Sequence, residues 1–219
     1  MSEANLRQGS HILTALASNA AFATVHVVAR KDLPRSEKVN VVKSTDSISW
    51  PTLIPSETSV FISALGTTAR QAGSFAKQRE IDYDLNLALI KAAKEKGVRV
   101  YVLISTAGAS PESMMPYTKM KGELDEAAKS AGFEHTIILK PGLLVGTRED
   151  SRPGEFIGRT MASFLGAVSG NMLKDPWAVD AEIVAKAAVA ASVKALKGEM
   201  VEKVTVLGQK DVLRIGRST

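Results

Sequence analysis

Three kinds of side chain that can handle protons lie close together near the middle of the chain. Ser105 and Thr106 end an apolar run, Tyr117 follows Thr106 by eleven positions, and Lys121 follows Tyr117 by four. On a helix, positions four apart share a face, so the Lys121 ammonium would lie beside the Tyr117 phenol. A neighbouring positive charge favours phenolate, so we expect a Tyr117 pKa lowered toward neutrality. Such a tyrosine can exchange a proton with a substrate oxygen that Ser105 or Thr106 holds.

The Tyr117 and Lys121 pair is not specific alone, because the same spacing occurs on exposed helix faces without any function. Its surroundings are more informative. The hydroxyls of Ser105 and Thr106 end a predicted strand, and a predicted helix begins at Tyr117. In open α/β sheets, ligands bind at the carboxyl ends of the strands. The placement therefore favours a proton-transfer site.

Short β-branched runs alternate with longer amphipathic segments along the whole chain. We predict strands at 23–29, 39–42, 60–65, 98–104, 136–139 and 204–207. We predict helices at 10–20, 79–96, 117–131, 154–166 and 181–196, with Asp180 as a helix cap. This alternation predicts an α/β fold with a doubly wound parallel sheet. Residues 1–219 are expected to form one domain, in which 148–175 is a mobile segment on the substrate side.

Composition excludes several classes of site. The 219 residues include no Cys, so disulfides, thiolate metal sites and a Cys nucleophile are excluded, and the three scattered His give no metal-binding spacing. No apolar run reaches the ~18 residues that span a bilayer. The N-terminus matches neither a secretory signal nor an Arg-rich mitochondrial presequence. A net charge of +5 indicates either a solvated basic surface or attraction to anionic phosphates or membranes, and the sparse aromatics disfavour nucleic acid.

Five short motifs occur in a fixed order around these elements. They are Ala-Leu-Gly-Thr-Thr-Ala-Arg at 64–70, Ile-Asp-Tyr-Asp-Leu-Asn-Leu at 81–87, Ser-Thr-Ala-Gly-Ala at 105–109, Tyr-Thr-Lys-Met-Lys-Gly-Glu at 117–123 and Lys-Pro-Gly-Leu-Leu-Val-Gly at 140–146. Together they resemble the atypical short-chain dehydrogenase/reductases. They are most similar to the fungal "found in mitochondrial proteome" proteins, relatives of the Tat-interacting, oxidoreductase-like tumour suppressor of animals. The resemblance covers about residues 9–215.

The resemblance implies a Rossmann-like fold that binds a nicotinamide dinucleotide, with NADPH as the expected form. Tyr117 would be the acid/base, Lys121 its ribose-binding partner, and Ser105 or Thr106 the holder of the substrate oxygen. The positions implied for cofactor binding are Gly9, Arg30, Lys31, Leu65, Gly66, Thr67, Asp82, Pro141, Gly142 and Leu143. Arg30 and Lys31 would pair with a 2′-phosphate, or are simply solvated loop cations. Pro141 and Gly142 would flank the nicotinamide, or form an ordinary turn.

The implied activity is a carbonyl/alcohol oxidoreductase of mitochondria, associated peripherally with the outer membrane. Two departures support an alternative. Asp82 stands where many short-chain dehydrogenases carry Asn, and only Gly9 remains of a Gly-rich turn that would cradle phosphates. The alternative is a non-catalytic regulatory or scaffold protein at the outer membrane with a degenerate dinucleotide site.

Residues 1–8 are too few and too polar to supply both a first strand and a phosphate-binding loop. Because the first strand of a doubly wound sheet is central, its loss has one of three outcomes. Residues 1–8 form a poor substitute strand, the flanking strands close together, or the domain is only marginally stable. We expect a shortened form that arises from a variant start, a splice product or an imperfect gene model.

Overall fold

The computed structural model describes residues 3–33, 36–145 and 178–219. The predicted helix at 154–166, the predicted mobile segment at 148–175 and Trp177 lie outside the described residues.

The described chain alternates helices and strands, as the sequence predicts. The helices are α1 (Glu3–Ser18), α2 (Ala69–Ala72), α3 (Phe75–Arg79), α4 (Asn86–Glu95), α5 (Pro116–Ser130), α6 (Ala181–Leu196) and α7 (Gln209–Arg217). The strands are β1 (Val25–Ala29), β2 (Val39–Lys43), β3 (Val60–Ser63), β4 (Val100–Ile104), β5 (His135–Lys140), β6 (Leu143–Val145), β7 (Ala178–Asp180) and β8 (Val204–Gly208). A 3₁₀ helix spans Ser47–Leu53, and a π-helical segment spans Glu80–Leu85 directly before α4.

The main sheet has four parallel strands in the order β3-β4-β5-β8. Val60 pairs with Val100, Val100 with His135, and Thr136 with Val204. β1 and β2 form a separate parallel ribbon, and β6 and β7 form another. Parallel strands with intervening helices confirm the predicted α/β, Rossmann-like class.

Both faces of the main sheet are buried, which explains the continuous apolar runs of β4 and β5. One core contains Val102 of β4 and Ile137 of β5, packed against the alanine-rich α6, α7 and Ile12 of α1. The other contains Leu103 of β4 and Ile138 of β5, packed against α4, α5 and the 3₁₀ helix. Neighbouring residues in each strand therefore enter opposite cores, as the two-residue period of a strand requires.

The N-terminal region differs from two of the expected outcomes. Residues 3–8 lie in α1, so they form no substitute strand, and Gly9 lies inside that helix and not in a turn before it. Within the described residues β1 and β3 pair with other strands and not with each other. A cavity of about 730 Å³ lies between them. Ala4, Leu6 and Gln8 are helix-forming residue types, which explains why α1 extends backwards.

Sequence patterns missed four kinds of element. The 3₁₀ helix contains Pro51, and α2 and α3 are only four and five residues long. β6 and β7 have three residues each. Such short elements offer too few positions for a period to be read. The helix α7 is long enough, but its start directly after β8 makes the two look like one segment.

Candidate active site

The site lies at the carboxyl edge of the main sheet, where β3, β4 and β5 end. Ser105 and Thr106 directly follow β4, and Pro141 directly follows β5. The backbone N–H of Ser105 donates to the Leu139 carbonyl at 2.8 Å, and the N–H of Ala107 donates to the Pro141 carbonyl at 2.8 Å. These bonds continue the β4–β5 ladder past the strand ends, so the hydroxyl-bearing segment is held in place.

Lys121 projects from α5 back toward β4. Its side chain is buried, and its Nζ donates to the carbonyl of Ile104 at 3.4 Å, one residue before Ser105. Tyr117 lies one turn earlier on α5 and is 41% exposed. The predicted helix at 117–131 is therefore confirmed to within one residue at each end, and it brings Lys121 to the end of β4.

The loop after β4 rests directly on α5 because Gly122 has no side chain. A Cβ atom added at Gly122 would lie 2.1 Å from the carbonyl carbon of Ser110 and 2.3 Å from the nitrogen of Pro111. The N–H of Ser110 also donates to the carbonyl of Thr118 at 3.1 Å. The spacing between the β4 loop and α5 thus depends on a glycine at this position.

Lys140 fastens the same loop from the other side. Its Nζ donates to the Ala109 carbonyl at 2.8 Å and lies 2.9 Å from the buried Asp125 carboxylate on α5. Arg79 of α3 pairs with Glu123 of α5 at 2.8 Å. Two ion pairs therefore hold α5 against β5 and α3.

Asp82 links the π-helical segment to the loop after β3. Its carboxylate accepts the backbone N–H of Thr67 at 2.6 Å and the Gln78 side-chain amide at 3.4 Å. Gln78 also donates to the Thr67 carbonyl at 3.0 Å. Asp82 and Gln78 are both buried. π-Helical turns inside helices often mark functional sites, and here the turn directs Asp82 inward.

Asn86 fastens the end of β3 to the same segment. Its side-chain oxygen accepts the Ser63 hydroxyl at 2.6 Å, and its amide nitrogen donates to the carbonyls of Leu65 and Asp82 at 3.3 and 3.1 Å. Asn86 is fully buried, so these bonds satisfy an otherwise costly side chain. Asn86 therefore fixes the path of the chain into Gly66 and Thr67.

Asp82 and Lys121 form a buried pair of opposite charges. Burial raises the pKa of Asp82 to about 6, and the positive charge of Lys121 partly opposes that rise. Burial also lowers the pKa of Lys121, against the opposing charges of Asp82 and Asp125. Each carboxylate thus helps to keep the Lys121 ammonium charged inside the protein.

The pKa of Tyr117 is a correction to the sequence prediction. Burial raises it to about 12, and the negative charge of Asp82 raises it further, so Lys121 does not lower it as expected. The reason is that the Lys121 ammonium is directed to the Ile104 carbonyl and is partly neutralised by two carboxylates. Because Tyr117 is 41% exposed, water moderates both effects. The phenol is therefore neutral at physiological pH.

At this edge of the sheet, two buried hydroxyls have no hydrogen-bond partner within the described part of the chain. They are Ser105 Oγ and Thr67 Oγ1. Buried hydroxyls are normally paired, so these two atoms have spare capacity for a polar ligand. Both follow strands of the main sheet, at the edge where ligands of this fold class bind. A ligand with hydroxyl or carbonyl oxygens fits this donor set.

Comparison with known proteins agrees with this geometry. The HIM1 family model matches residues 34–169, more than half of the chain. A protein of Aspergillus terreus named "Protein fmp52-1, mitochondrial" is 44% identical, over 95% of this chain and 94% of its own length. "Protein fmp52, mitochondrial" of Emericella nidulans is 45% identical over the same shares. This chain belongs to the HIM1/FMP52 family. The predicted family resemblance is confirmed.

Solved structures show the same fold at lower identity. A structure described as MoeE5 in complex with UDP-glucuronic acid and NAD has a TM-score of 0.65 and 18% identity, and covers 92% of this chain and 72% of that chain. A UDP-Glc/GlcNAc 4-epimerase of Campylobacter jejuni has a TM-score of 0.65 and 13% identity, over 94% of this chain and 78% of its own. These similarities show that the HIM1/FMP52 chain has the Rossmann-like α/β fold of these structures.

The predicted site residues fall into two groups. In the first group, Asp82 is linked to Thr67 by a hydrogen bond and to Lys121 and Tyr117 by charge interactions, and Ser105 directly follows the Ile104 carbonyl that Lys121 contacts. The second group lines the cavity between β1 and β3, and consists of Gly9, Arg30, Lys31 and Leu65.

The remaining predicted positions lie at the ends of β3, β4 and β5. Gly66 and Pro141 are buried, Thr106 is half-buried, and Leu143 is 58% exposed. The N–H of Gly142 donates to the Gln209 side chain at 2.7 Å, so it is already used.

Sequence reasoning missed Gln78, Asn86, Gly122 and Lys140. Gly122 and Lys140 lie inside the motifs at 117–123 and 140–146, but their roles depend on contacts with a loop that no local pattern identifies. Asn86 carries a weak signal, because a buried-face Asn in an apolar helix needs a partner. Gln78 carries none.

Proposed function

We propose that this protein binds a nicotinamide dinucleotide at the carboxyl edge of the sheet and acts as a carbonyl/alcohol oxidoreductase. One arrangement carries the proposal. Asp82 connects Thr67, after β3, with the buried Lys121, which contacts the end of β4 beside the unpartnered hydroxyl of Ser105. The positions proposed for cofactor binding and for proton transfer would thereby lie beside one another at this edge of the sheet.

The residues present fit such a cofactor on the nicotinamide side. The free Thr67 and Ser105 hydroxyls offer donors to polar groups, and the turn at Pro141 follows the neighbouring strand. Arg30 and Lys31 are exposed basic residues directly after β1, where they would meet a 2′-phosphate and favour NADPH over NADH. When bound, the cofactor would supply or accept hydride.

Tyr117 would supply the proton in the direction of reduction. A phenol with a pKa of about 12 is protonated at neutral pH, so it can donate to a substrate carbonyl but is a weak base. Ser105 would hold the same oxygen through its unpartnered hydroxyl. Lys121, which does not lower the Tyr117 pKa, would instead contact the ribose of the cofactor. Carbonyl reduction is therefore the favoured direction.

A second candidate is a non-catalytic regulatory or scaffold protein that keeps a degenerate dinucleotide site. Two observations favour it. Gly9, the glycine expected to belong to a Gly-rich turn, lies within α1. The Tyr117 pKa is raised and not lowered. Both would weaken an enzyme of this class.

We place either activity in mitochondria, peripherally at the outer membrane. Support comes from the names of the fungal relatives, which describe those proteins as mitochondrial. None of the described helices combines the length and the apolar character that a bilayer-crossing helix needs. Salt or carbonate washing of isolated mitochondria tests the peripheral association, since washing should release the protein into the supernatant.

Titration with NADPH and NADH tests the proposed function. Trp50 is buried and lines the cavity beside Leu65, so its fluorescence and the melting temperature should both respond to NADPH. Arg30→Ala with Lys31→Ala should weaken NADPH binding and leave NADH binding unchanged. Tyr117→Phe should bind cofactor normally and lose turnover. Absence of any response at millimolar dinucleotide would exclude the enzyme and favour the scaffold.

A further inference from the structure

We propose that the outer edge of β8 is a dimerisation surface, on which a second copy of this chain pairs its own β8 in antiparallel orientation. The main sheets of the two copies then form one continuous sheet across a two-fold axis. This inference concerns the sheet edge and does not depend on the proposed dinucleotide chemistry. It is carried by the backbone of β8, by the side chains exposed along it and by the charges on either side of it.

Hydrogen bonding between β5 and β8 shows which backbone groups of β8 face outward. The N–H of Thr136 in β5 donates to the Lys203 carbonyl at 2.7 Å, so Lys203 faces β5. Because backbone groups alternate sides along a strand, Thr205 faces β5 as well. Val204 and Val206 therefore direct their N–H and C=O groups away from the sheet. Among the described residues, no strand pairs with this edge.

Apolar side chains are exposed beside these outward backbone groups. Val206 is in register with Ile138 of β5, which belongs to the core beneath α4 and α5. Val204 and Val206 therefore lie on the same face of the sheet as α5, yet they are 37% and 44% exposed. Val201, just before the strand, is 95% exposed. An apolar strip thus borders the outer edge of β8.

The helix that follows β8 leaves this strip uncovered. Helix α7 begins directly after the strand and packs through Val212 and Leu213 into the core that contains Val102. That core lies on the opposite face of the sheet from Val204 and Val206. A second strand can therefore approach the edge of β8 without displacing α7.

The edge of β8 also lacks the features that usually prevent further strand pairing. Such features include charged side chains, proline and β-bulges. The β8 sequence Val-Thr-Val-Leu-Gly has no charge and no proline, and its register with β5 is continuous from Val204 to Gly208. By contrast, β2 ends in the charged Lys43, which pairs with Asp32 at 2.6 Å. The edge of β8 is therefore suited to pairing with another strand.

A second copy of β8 fits this edge because the strand is complementary to itself. In an antiparallel pair, a two-fold axis at Val206 places the two Val206 residues opposite each other, where they exchange both backbone hydrogen bonds. Val204 then lies opposite Gly208, so the five-residue strands overlap along their full length. The valine side chains of both copies become neighbours on one face of the joined sheet.

The charges that flank β8 fit the same symmetry. Glu202 lies four residues before Val206, and Lys210 lies four residues after it; both are exposed. A two-fold axis at Val206 therefore brings Glu202 of each copy near Lys210 of the other copy. A parallel, in-register pair would instead bring like charges together, which is unfavourable. Charge complementarity thus selects the antiparallel pair of two copies.

Sedimentation velocity of the full chain tests the inference. The monomer has a mass of 23.3 kDa, and we expect a reversible shift to twice that mass as the protein concentration rises. A monomer at every concentration from about 1 μM to about 1 mM would overturn the inference. Open-ended association would also overturn it, because a two-fold interface leaves no β8 edge free for a third copy.

Charge reversal distinguishes this interface from any other. Glu202→Lys and Lys210→Glu should each weaken the dimer about tenfold, because like charges then meet at both ends of the interface. An equimolar mixture of the two variants should recover the original affinity, since each copy supplies the charge that the other needs. Glu95→Lys is the matched control, because Glu95 is exposed at the end of α4, outside the interface. A mixture that stays monomeric would overturn the β8 pairing.

Two proline variants test the backbone pairing. Val206→Pro removes an N–H that points outward, which an edge strand tolerates, and should weaken the dimer about tenfold or more. Val41→Pro is the matched control, because the N–H of Val41 on β2 points away from β1 and its loss should leave the dimer unchanged. Equal affinities of the two variants would contradict pairing through β8. If Val206→Pro does not fold, the mixture of charge variants decides.

Discussion

Asp82 performs two tasks that conflict. As an acceptor for the Thr67 N–H it orders the loop after β3, and as a charge it balances Lys121. A protonated carboxyl group or an amide would serve the first task equally well. Only a carboxylate serves the second, and its burial is unfavourable. An Asn in its place would keep the loop and lose the charge.

Asp82→Asn should therefore stabilise the protein in a pH-dependent way. The folded-state pKa of about 6 lies above the ordinary aspartate value of 3.8, so the folded state holds the proton more tightly. The contribution of Asp82 to the stability of the folded state is most favourable below about pH 4 and is lost as pH rises through 6. The free energy of unfolding of Asp82→Asn should thus equal that of the wild type near pH 4. Above pH 7 it should be larger by up to about 3 kcal/mol. Urea unfolding across this range measures the difference.

Asp84→Asn is the control for this substitution. Asp84 lies in the same π-helical segment but is exposed, so we expect no comparable pH-dependent gain. A gain for Asp82→Asn that is constant with pH would contradict the assignment, because it would not come from titration of a buried carboxyl.

The same residues show how far sequence reasoning reaches at this scale. The order of Ser105, Tyr117 and Lys121 predicted a helix that would carry Lys121 to the end of β4, and Lys121 contacts the Ile104 carbonyl beside Ser105. It could not predict the Tyr117 pKa, because Asp82 comes from a different helix and reaches the site only in the folded chain. A local motif does not show how charges from distant segments of the chain will change the pKa of one of its residues.

At the scale of elements, the contact between α5 and the β4 loop depends on Gly122. Gly122→Ala places a methyl group against Ser110 and Pro111, where backbone atoms cannot move aside locally. We expect a loss of about 1–3 kcal/mol in the free energy of unfolding. Because α5 carries Tyr117 and Lys121, dinucleotide affinity should fall as well. Denaturant unfolding and NADPH titration measure the two effects.

Gly9→Ala is the matched helical control. No atom lies within 4 Å of a Cβ at Gly9, so alanine should stabilise α1 by up to about 1 kcal/mol. The substitution also tests the implied cofactor role of Gly9. Weaker dinucleotide binding by Gly9→Ala would support close approach of the cofactor there, and unchanged binding would remove Gly9 from the site.

Asn86→Ala tests how β3 is fastened to the π-helical segment. Removing the amide leaves the Ser63 hydroxyl and the Leu65 carbonyl without their partner. We expect the free energy of unfolding to fall by about 1–3 kcal/mol, which is typical when buried polar groups are left unpaired. Asn40→Ala on β2 is the control, since Asn40 is exposed and its loss should stay within about 0.5 kcal/mol. Equal losses in the two variants, measured by urea unfolding, would contradict the role of Asn86.

Long elements with a clear period were predictable, and short ones were not. The strands β4 and β5 and the helices α5 and α6 match their predicted ranges to within two residues. The π-helical segment was read as part of one helix at 79–96, because the sequence pattern of an α-helix and a π-turn is nearly the same. That segment nevertheless places Asp82, which shows why site geometry is harder to predict than the fold.

At the scale of the whole molecule, the strands differ in burial and in the number of neighbouring strands that stabilise them. In the main sheet β4 and β5 are buried and have partners on both sides, whereas β1 and β2 form a two-stranded ribbon. Isolated two-stranded pairings are only marginally stable, and here packing on α1 and the 3₁₀ helix must support the ribbon. Amide hydrogen exchange, read by NMR, should therefore show two levels of protection. The amides of Val102 and Ile138 should exchange only on global unfolding, and those of β1 should exchange through local opening.

Within β1 the exchange should alternate from residue to residue. The amide of Val27 points to β2 and should be protected, while those of His26 and Val28 point into the cavity between β1 and β3 and should exchange faster. Uniform protection along β1 would instead mean that β1 and β3 are paired with each other in solution.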